Sequence, residues 1–245
     1  MDVSRLPYVD GWRGRIGLIT PAPGSSTELE FNRYKPEGVA VLTTRIPLFG
    51  ISVAGLQEMN RYIDAAAKML ADSAKVDLLL FSCTAGSFLE GKDFDQKLIS
   101  HLEELTGLKT TTTSTCVQKA IRVLGLHTMT VVTPYSQEVN DLERRFLEGI
   151  GVTVTAMGGA LLDKSQDTPK VTAEVMADFV RQYDSPAADG VFISCTGLHV
   201  DGLIRPLEEE LGKPVLTSNQ CGLWGALRGL GLSDTVDSLG ILFRM

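Results

Sequence analysis

The chain of 245 residues contains few of the side chains from which metal sites and disulfides are built. It has only three histidines, which lie far apart at positions 101, 127 and 199. Its four cysteines, at positions 83, 116, 195 and 221, form no C-x-x-C pair. A dedicated zinc site is therefore not predicted, and no metal is expected.

Long hydrophobic runs and clusters of basic residues are also missing. No apolar run approaches the ~18 residues needed to cross a bilayer, and residues 1–7 lack the hydrophobic core of a secretory signal. The net charge is −7, and no Lys/Arg cluster offers a surface for nucleic acid or an anionic membrane. The sequence thus predicts a cytoplasmic protein without nucleic-acid or membrane partners, in which disulfides are not expected.

Common phosphate-binding and serine-nucleophile motifs are absent as well. There is no G-x-G-x-x-G after a strand, no Gly-Lys-Ser/Thr phosphate loop and no G-x-S-x-G nucleophile elbow. The residues six positions after Cys83 and Cys195 are Leu89 and Asp201, so a phosphate-binding thiolate loop with Arg at that position is not indicated. The absence of these motifs argues against several classes of nucleotide-dependent enzymes and hydrolases.

Two similar stretches carry the strongest functional signal. Residues 76–87 (VDLLLFSCTAGS) and 188–197 (ADGVFISCTG) each contain Asp, an apolar run, Ser-Cys-Thr and then a Gly within three residues. Such a run, ended abruptly by small polar residues, is typical of a buried parallel strand that breaks into a loop. Ligands bind at the carboxyl ends of parallel strands, so Cys83 and Cys195 are candidate site residues.

The rest of the chain alternates between strand and helix patterns. Predicted strands cover residues 15–20, 39–44, 76–81, 109–113, 128–133, 152–156, 188–193 and 214–217. Helices are predicted after the hydroxyl residues 25–27 and over residues 53–74, 94–105, 116–124, 139–147, 171–183, 204–211 and 223–230, with a turn at 158–159. This alternation predicts an α/β fold with parallel sheets.

An internal repeat relates the two halves of the chain. Three motifs of the first half recur in the same order in the second half. The TP of residues 20–21 recurs at 133–134, and Cys83 corresponds to Cys195. The TSTC of residues 113–116 corresponds to TSNQC at 217–221. Matches at nearly one period indicate two similar α/β halves. If the halves face each other across a pseudo-two-fold axis, the two cysteines meet over one cleft.

A facing thiol pair is suited to chemistry at carbon without a cofactor. One thiolate can remove a proton from carbon while the other thiol returns one from the opposite face, or a thiolate can add to an activated double bond and leave after rotation. Free thiols titrate near ~8.5, so the surroundings must lower the pKa of one of them. Backbone N–H groups of Thr84, Ala85, Thr196 and Gly197 are candidate donors to a thiolate or a substrate carboxylate.

The sequence resembles the aspartate/glutamate racemase superfamily, and within it the branch of arylmalonate decarboxylases and maleate cis–trans isomerases. The motifs that carry the resemblance are 19–21 (ITP), 81–88 (FSCTAGSF), 133–135 (TPY), 194–198 (SCTGL) and 217–219 (TSN). The resemblance implies two pseudo-symmetric parallel-sheet α/β domains, with a cofactor-free active site in the cleft between them. It also implies interleaved domains, with residues 1–116 plus 222–245 in the first and 117–221 in the second.

The same resemblance implies roles for individual residues. Cys83 and Cys195 match the paired catalytic cysteines, with Cys83 as the thiolate. Thr84, Tyr135, Thr196 and Gly197 match positions that bind substrate carboxylate, and Ala85 and Pro21 are further candidate substrate-binding residues. Arg45, at a strand's carboxyl end, either binds a second carboxylate or forms a structural ion pair.

The other candidate residues have simpler interpretations. Cys116 and Cys221 are interpreted as core packing. His199 either polarises Cys195 or lies in the loop without such a role. Glu28 and Glu30 are interpreted as charges at a helix start.

Departures from the family pattern separate the possible functions. The decarboxylases of this branch carry glycine at the position of Cys83, so the presence of both cysteines favours isomerisation or racemisation. Maleate isomerases carry Asn after the first strand, where this chain has residues 21–24 (PAPG), and the substrate therefore stays open. The expectation is a cofactor-independent isomerase or racemase of a small carboxylic acid, as a possible homodimer. The alternatives are an arylmalonate-type decarboxylase with Cys195 as proton donor, and a small-carboxylate binding protein.

Overall fold

The computed structural model describes residue 6, residues 8–89, residue 91 and residues 93–245. Most of residues 1–7, on which the expectation of no secretory signal depends, lie outside this set. Within the described residues, no helix combines the length and the apolar character that crossing a membrane requires.

Two parallel four-stranded sheets form the framework. The first contains β1 (Gly14–Pro21), β2 (Val39–Ile46), β3 (Leu78–Phe81) and β4 (Lys109–Thr112) in the order β2-β1-β3-β4. The second contains β5 (Thr128–Thr133), β6 (Thr153–Gly159), β7 (Gly190–Ile193) and β8 (Val215–Thr217) in the order β6-β5-β7-β8. The same order occurs twice, so the prediction of two α/β halves with parallel sheets is confirmed.

Helices connect and cover the strands. They are α1 (Ser26–Tyr34), α2 (Val53–Asn60), α3 (Ile63–Lys68), α4 (Thr84–Phe88), α5 (Phe94–Thr106), α6 (Thr113–Leu124), α7 (Gln137–Gly149), α8 (Ala173–Tyr183), α9 (Ile204–Leu211) and α10 (Ser218–Gly229). Every residue of the central strands β3 and β7 is buried. This burial on both faces explains their continuous apolar sequences, because helices shield both sides of a parallel sheet.

Helix α10 connects the two halves. It follows β8 in the chain, yet it contacts β3 and β4 of the first sheet and packs against α6. The fit between α6 and α10 is close, because a Cβ added at Gly225 would lie 2.3 Å from Cys116 Sγ. Cys116 and Cys221 are both fully buried there, as core packing requires. The division into residues 1–116 plus 222–245 and residues 117–221 stays a prediction.

The long helix predicted over residues 53–74 is wrong as a single element. It is divided into α2, α3 and a π-helical turn (Met69–Ala74). The break lies at Arg61 and Tyr62, whose N–H groups donate to the carbonyls of Glu58 and Met59 three residues earlier. The apolar periodicity continues across this tightened turn, so the sequence pattern does not reveal it.

Two other helices begin earlier than the sequence predicts. Helix α6 starts at Thr113, because the Thr112 hydroxyl accepts a hydrogen bond from the N–H of Thr115. Helix α10 starts at Ser218, five residues before its predicted start, and Thr217 forms a capping box with Gln220. Thr112 and Thr217, which were predicted as strand residues, also cap the helices that follow them. Both roles are compatible, because a capping residue has an extended backbone.

The end of β6 also differs from the prediction, whereas no conformation was predicted for the last apolar segment. Residues 158–159, predicted as a turn, are the last two residues of β6 and pair with the end of β5. The final apolar segment near residues 239–243 forms 3₁₀ turns at Asp237–Leu239 and Ile241–Arg244.

Candidate active site

Cys83 stands where β3 ends and the short helix α4 begins. It is the residue before the first turn of α4, and its Sγ accepts a hydrogen bond from the Gly86 N–H at 3.4 Å. The residue is only 5% exposed. An extended backbone followed at once by a helical turn directs this thiol into the space beyond the sheet edge.

Cys195 occupies the corresponding position after β7, but its backbone has an unusual conformation. Its φ is +135°, in a region that side-chain-bearing residues rarely adopt. The Sγ atom accepts a hydrogen bond from the Gly197 N–H at 3.3 Å, and the Cys195 N–H donates to Ser218 Oγ at 3.0 Å. These bonds, together with those of the next residue, hold the loop in its unusual conformation.

The carbonyl of Thr196 anchors this loop to the first half of the chain. It accepts hydrogen bonds from Ser26 Oγ at 2.6 Å, Thr27 Oγ1 at 3.0 Å and Asn219 Nδ2 at 3.3 Å. Thr196 Oγ1 also donates to the Ser82 carbonyl at 3.3 Å. The loop that carries Cys195 is thus fastened to α1 and to the residue before Cys83.

The positive φ leads to a stability prediction at Cys195. We expect the Cys195→Gly variant to be more stable than Cys195→Ala by about 1 kcal/mol, because glycine adopts this conformation without strain. Urea unfolding of the two variants, with a check that their m-values agree, measures the difference. An alanine variant as stable as the glycine variant would show that the backbone at Cys195 is not strained.

Both cysteines line one cleft between the two sheets. The cleft contains about 500 Å³ of empty space, including its opening to solvent. Its lining residues are Thr20, Pro21, Pro23, Gly24, Leu48, Ile51, Leu56, Cys83, Ala85, Tyr135, Ser165, Thr168, Cys195, Thr196 and Gly197. No Lys, Arg, Asp, Glu or His occurs in this described lining, so a bound carboxylate would depend on hydroxyl and backbone N–H donors.

Part of the lining comes from two loops that cross the gap between the halves. The 3₁₀ turn Ser165–Lys170, in the second half, contributes Ser165 and Thr168. Ser165 Oγ donates to the Leu48 carbonyl at 3.2 Å, and the Ile51 N–H donates to the Asp163 carbonyl at 3.4 Å. Leu48, Ile51, Ser165 and Thr168 were not predicted as site residues, because no periodicity or motif in the sequence marks the two loops that carry them.

Most of the predicted substrate-binding residues lie in the lining, and two do not. Pro21, Ala85, Tyr135, Thr196 and Gly197 are lining residues. Thr84 is buried beside the cleft, where its Oγ1 donates to Ser218 Oγ at 2.8 Å. Because Ser218 Oγ also accepts from the Cys195 N–H, Thr84 supports the opposite cysteine loop.

Arg45 also lies outside the lining and acts on the first loop of the site. Its Nη1 donates to the carbonyls of Ala22 and Gly24 at 2.8 and 2.9 Å, and its Nη2 contacts Glu28 Oε2 at 2.7 Å. Of its two interpretations, the structure shows the ion pair. Arg45 therefore shapes the loop that carries Gly24.

His199 has a partner away from the thiols, and Glu30 is buried. His199 Nε2 lies 3.3 Å from Ser25 Oγ, a contact that joins the two halves. Glu30, interpreted from the sequence as a helix-start charge, is in fact buried, and burial raises its pKa to about 8. Only Glu28 remains an acidic residue in the first turn of α1.

Burial controls the ionisation of both candidate nucleophiles. It raises the pKa of Cys83 to about 12, against the opposing hydrogen bond from Gly86. It raises the pKa of Cys195 to about 11, against hydrogen bonds from Gly197 and the Tyr135 side chain. Both groups are therefore thiols in the free protein at neutral pH. The expected lowering of one thiol pKa is thus not found in the free protein, and the identity of the thiolate, for which the family resemblance implies Cys83, stays a prediction.

Two α/β halves with a cysteine from each at a shared cleft define a class of pseudo-symmetric, paired-cysteine proteins. The sequence model of the arylmalonate decarboxylase family matches residues 16–243. The chain therefore belongs to the arylmalonate decarboxylase family, and the predicted branch is confirmed.

Individual relatives include both enzymes of this branch. The chain is 28% identical over 219 residues to the arylmalonate decarboxylase of Bordetella bronchiseptica, covering 88% of this chain and 90% of the relative. It is 24% identical over 240 residues to the maleate isomerase of Nocardia farcinica, covering 94% of this chain and 95% of that relative.

Solved structures show the same fold. A variant of the maleate isomerase from Pseudomonas putida S16 with maleate superposes with a TM-score of 0.90 at 20% identity, covering 94% of this chain and 97% of that one. A liganded arylmalonate decarboxylase mutant has cysteine in place of one glycine and serine in place of one cysteine. It superposes with a TM-score of 0.84 at 26% identity, covering 89% of this chain and 93% of that one.

Proposed function

We propose that this protein is a cofactor-independent isomerase of a small carboxylic acid, with Cys83 and Cys195 as the reacting pair. One observation carries the proposal: the two thiols come from equivalent strand ends of the two halves and line the same cleft. Relatives named maleate isomerase support cis–trans isomerisation as the reaction class, and maleate is the first substrate to test.

The geometry suits reversible addition across a double bond. In the proposed path Cys83 loses its proton to solvent as the substrate binds, the resulting thiolate adds to one alkene carbon, and the electron pair of the double bond moves onto the adjacent carboxylate. The Cys195 thiol then protonates the neighbouring carbon, and the new single bond rotates. Cys195 removes the proton again, Cys83 leaves, and the trans acid is formed. Racemisation would use the same two thiols to remove and return a proton on opposite faces of a stereocentre.

Neutral donors would hold the charge that develops on the carboxylate. Tyr135, Thr196, Ser165 and Gly197 line the cleft, and a bound carboxylate would compete with the present hydrogen-bond acceptors of Thr196, Ser165 and Gly197. Hydrogen-bond donors fixed in a largely enclosed site stabilise an oxyanion more strongly than water does. The roles of these residues in substrate binding are part of the proposal.

Decarboxylation of an arylmalonate is the second candidate function. Leu48, Ile51, Leu56 and Pro23 form an apolar wall of the cleft, which suits an aromatic substituent. In that reaction carbon dioxide leaves and Cys195 protonates the resulting enediolate. Cys83 argues against this candidate, because the family resemblance places glycine there in the decarboxylases.

Proton NMR in deuterated water separates the candidates. We expect the purified protein, without added cofactor, to convert maleate to fumarate. Deuterium exchange at the α-carbon of a chiral acid would instead identify a racemase, and carbon dioxide release from phenylmalonate that survives Cys83→Gly would identify a decarboxylase. Tight binding of such an acid without turnover would identify a binding protein. Absence of conversion across a panel of small mono- and dicarboxylates would refute the isomerase proposal.

A further inference from the structure

Three side chains hold the carbonyl of Thr196, and all three are almost fully buried. Ser26 Oγ donates to it at 2.6 Å, Thr27 Oγ1 at 3.0 Å and Asn219 Nδ2 at 3.3 Å. Thr27 shares its single hydroxyl proton with Asn219 Oδ1, which lies 2.9 Å away, so Ser26 makes the closest contact. Because a carbonyl oxygen has two lone pairs, three donors occupy it fully and fix its direction.

The opposite side of the same peptide faces a cleft cysteine. A trans peptide is planar, so its N–H points away from its carbonyl. Here the Gly197 N–H donates to Cys195 Sγ at 3.3 Å, and both residues line the cleft. The donors that fix the Thr196 carbonyl therefore also fix the direction of this N–H. Hydrogen bonds to the carbonyl polarise the peptide as well, which makes its N–H a stronger donor.

Cys195 depends on such an anchor more than Cys83 does. Cys83 is followed directly by helix α4, whose first turn holds the Gly86 N–H against the sulfur. Cys195 is followed by a turn without a helix, and its φ is +135°. The local backbone therefore does not fix the N–H that faces Cys195, and contacts from outside the loop must do so.

We propose that Ser26 is a positioning residue for Cys195. Its hydroxyl fixes the Thr196 carbonyl, so the N–H on the other side of that peptide stays directed at Cys195 Sγ and stabilises the thiolate. This inference rests on the proposed function, in which Cys195 becomes a thiolate when it gives its proton to the substrate carbon, and a thiol again when it removes that proton. Ser26 belongs to α1 in the first half of the chain, so the cysteine of one half depends on a hydroxyl of the other.

The acidity of Cys195 is the property that this N–H controls. A thiolate gains more from an N–H donor than a thiol does, because a hydrogen bond to a charged acceptor is stronger. Burial raises the pKa of Cys195 to about 11, and the hydrogen bond from the Gly197 N–H lowers that pKa. Loss of the hydrogen bond is therefore expected to raise the pKa of this thiol further. The other titratable groups on the elements around the loop are Cys83, Tyr135, Glu143, Glu30 and His199, and the substitutions below change none of them.

Alkylation of Cys195 by iodoacetamide, followed by peptide mass spectrometry at pH 9, tests the inference without a substrate. The rate follows the thiolate fraction. Ser26→Ala should therefore lower it about tenfold, which corresponds to a rise of about one unit in the pKa of the thiol. A merely structural role of Ser26 predicts the opposite sign, because a loosened loop would expose the thiol and raise the rate. An unchanged or raised rate in Ser26→Ala would overturn the inference.

Ser114→Ala is the matched control for the loss of a buried hydroxyl. Ser114 is fully buried, and its Oγ donates at 3.3 Å to the Thr84 carbonyl, which follows the other cleft cysteine. The substitution removes a comparable hydroxyl without touching the peptide that faces Cys195, so the alkylation rate of Cys195 should not change. A fall as large as that in Ser26→Ala would contradict the specific role of Ser26.

Thr27 provides a second pair of variants, which keeps the test valid if Ser26→Ala does not fold. Thr27→Val removes the hydroxyl with little change in size. It should lower the alkylation rate about threefold, a smaller effect because Thr27 shares its proton with Asn219. Thr27→Ser keeps the hydroxyl and should retain the wild-type rate. Equal rates in these two variants would count against the anchoring of the Thr196 carbonyl as the cause.

Kinetics of maleate isomerisation separate this inference from the proposed function. Ser26→Ala should lower kcat about fivefold, because a weaker acid protonates the substrate carbon more slowly. Its KM should change little, since Ser26 is absent from the cleft lining. Normal turnover together with unchanged alkylation of Cys195 in Ser26→Ala would refute the inference alone. Slowed alkylation in a protein that converts none of the tested acids would refute the proposed function and support the positioning role of Ser26.

Discussion

Replacing either cleft cysteine is expected to remove nearly all activity. We predict that Cys83→Ser and Cys195→Ser each lower kcat for maleate isomerisation by about 10³-fold or more. A serine hydroxyl is similar in size to the thiol, but it is a much weaker acid and is not ionised at neutral pH. Each half contributes one cysteine sulfur to the cleft, and the proposed mechanism needs both, so the intact partner cannot compensate for the loss.

The measurement is the rate of fumarate formation by NMR, with Cys116→Ser as the matched control. Cys116 is fully buried between α6 and α10 and is absent from the cleft lining, and a serine there can keep the contact with Thr111 Oγ1. The control should therefore retain activity. If either cleft variant kept a tenth of the wild-type kcat, the paired-thiol mechanism would be refuted.

Gly159→Ala is expected to be the most damaging change to stability among single methyl additions near the site. Gly159 has a φ of +148°, and an added Cβ would lie 1.7 Å from the Thr133 carbonyl oxygen. Since this neighbour is backbone of the paired strand β5, it cannot move without disturbing the sheet. We expect a loss of about 3–5 kcal/mol in the free energy of unfolding, from backbone strain and overpacking together.

Gly125→Ala separates these two contributions. Gly125 ends α6 with a φ of +67°, and no atom lies within 4 Å of an added Cβ. Alanine there should cost only about 1 kcal/mol, from its backbone conformation alone. Chemical denaturation of both variants provides the comparison. Equal losses would show that the close approach between β5 and β6 at Gly159 is not a constraint on folding.

The fold class was predictable because its signals are local. Apolar runs such as residues 78–81 mark strands that are buried on both faces, and amphipathic periods mark the helices between them. The repeat of TP and SCT motifs then pairs the strand ends of the two halves. The two sheets, with their identical strand order, agree with this interpretation.

The errors in the secondary-structure prediction share a physical cause. Thr112 and Thr217 favour strands through their branched side chains, and they also cap the helices that follow. Gly158 and Gly159 are typical of turns, yet they extend β6, where only glycine fits against the Thr133 carbonyl. In each case a tertiary or capping contact decided between two conformations that the residue type allows.

The sequence by itself determined the α/β class, the repeat and the two cysteines at equivalent strand ends, because periodicity and strand termini are properties of neighbouring residues. Tertiary structure alone decided that loops from both halves line the cleft and that Arg45 binds a loop. It also joined the Ser194 hydroxyl, next to Cys195 in the chain, to the buried carboxyl group of Glu143. These contacts join residues 21 to 117 positions apart, and their effect on stability depends on burial. Burial also raises the pKa values of both thiols, so the chemistry of the cysteines depends on the cleft that encloses them.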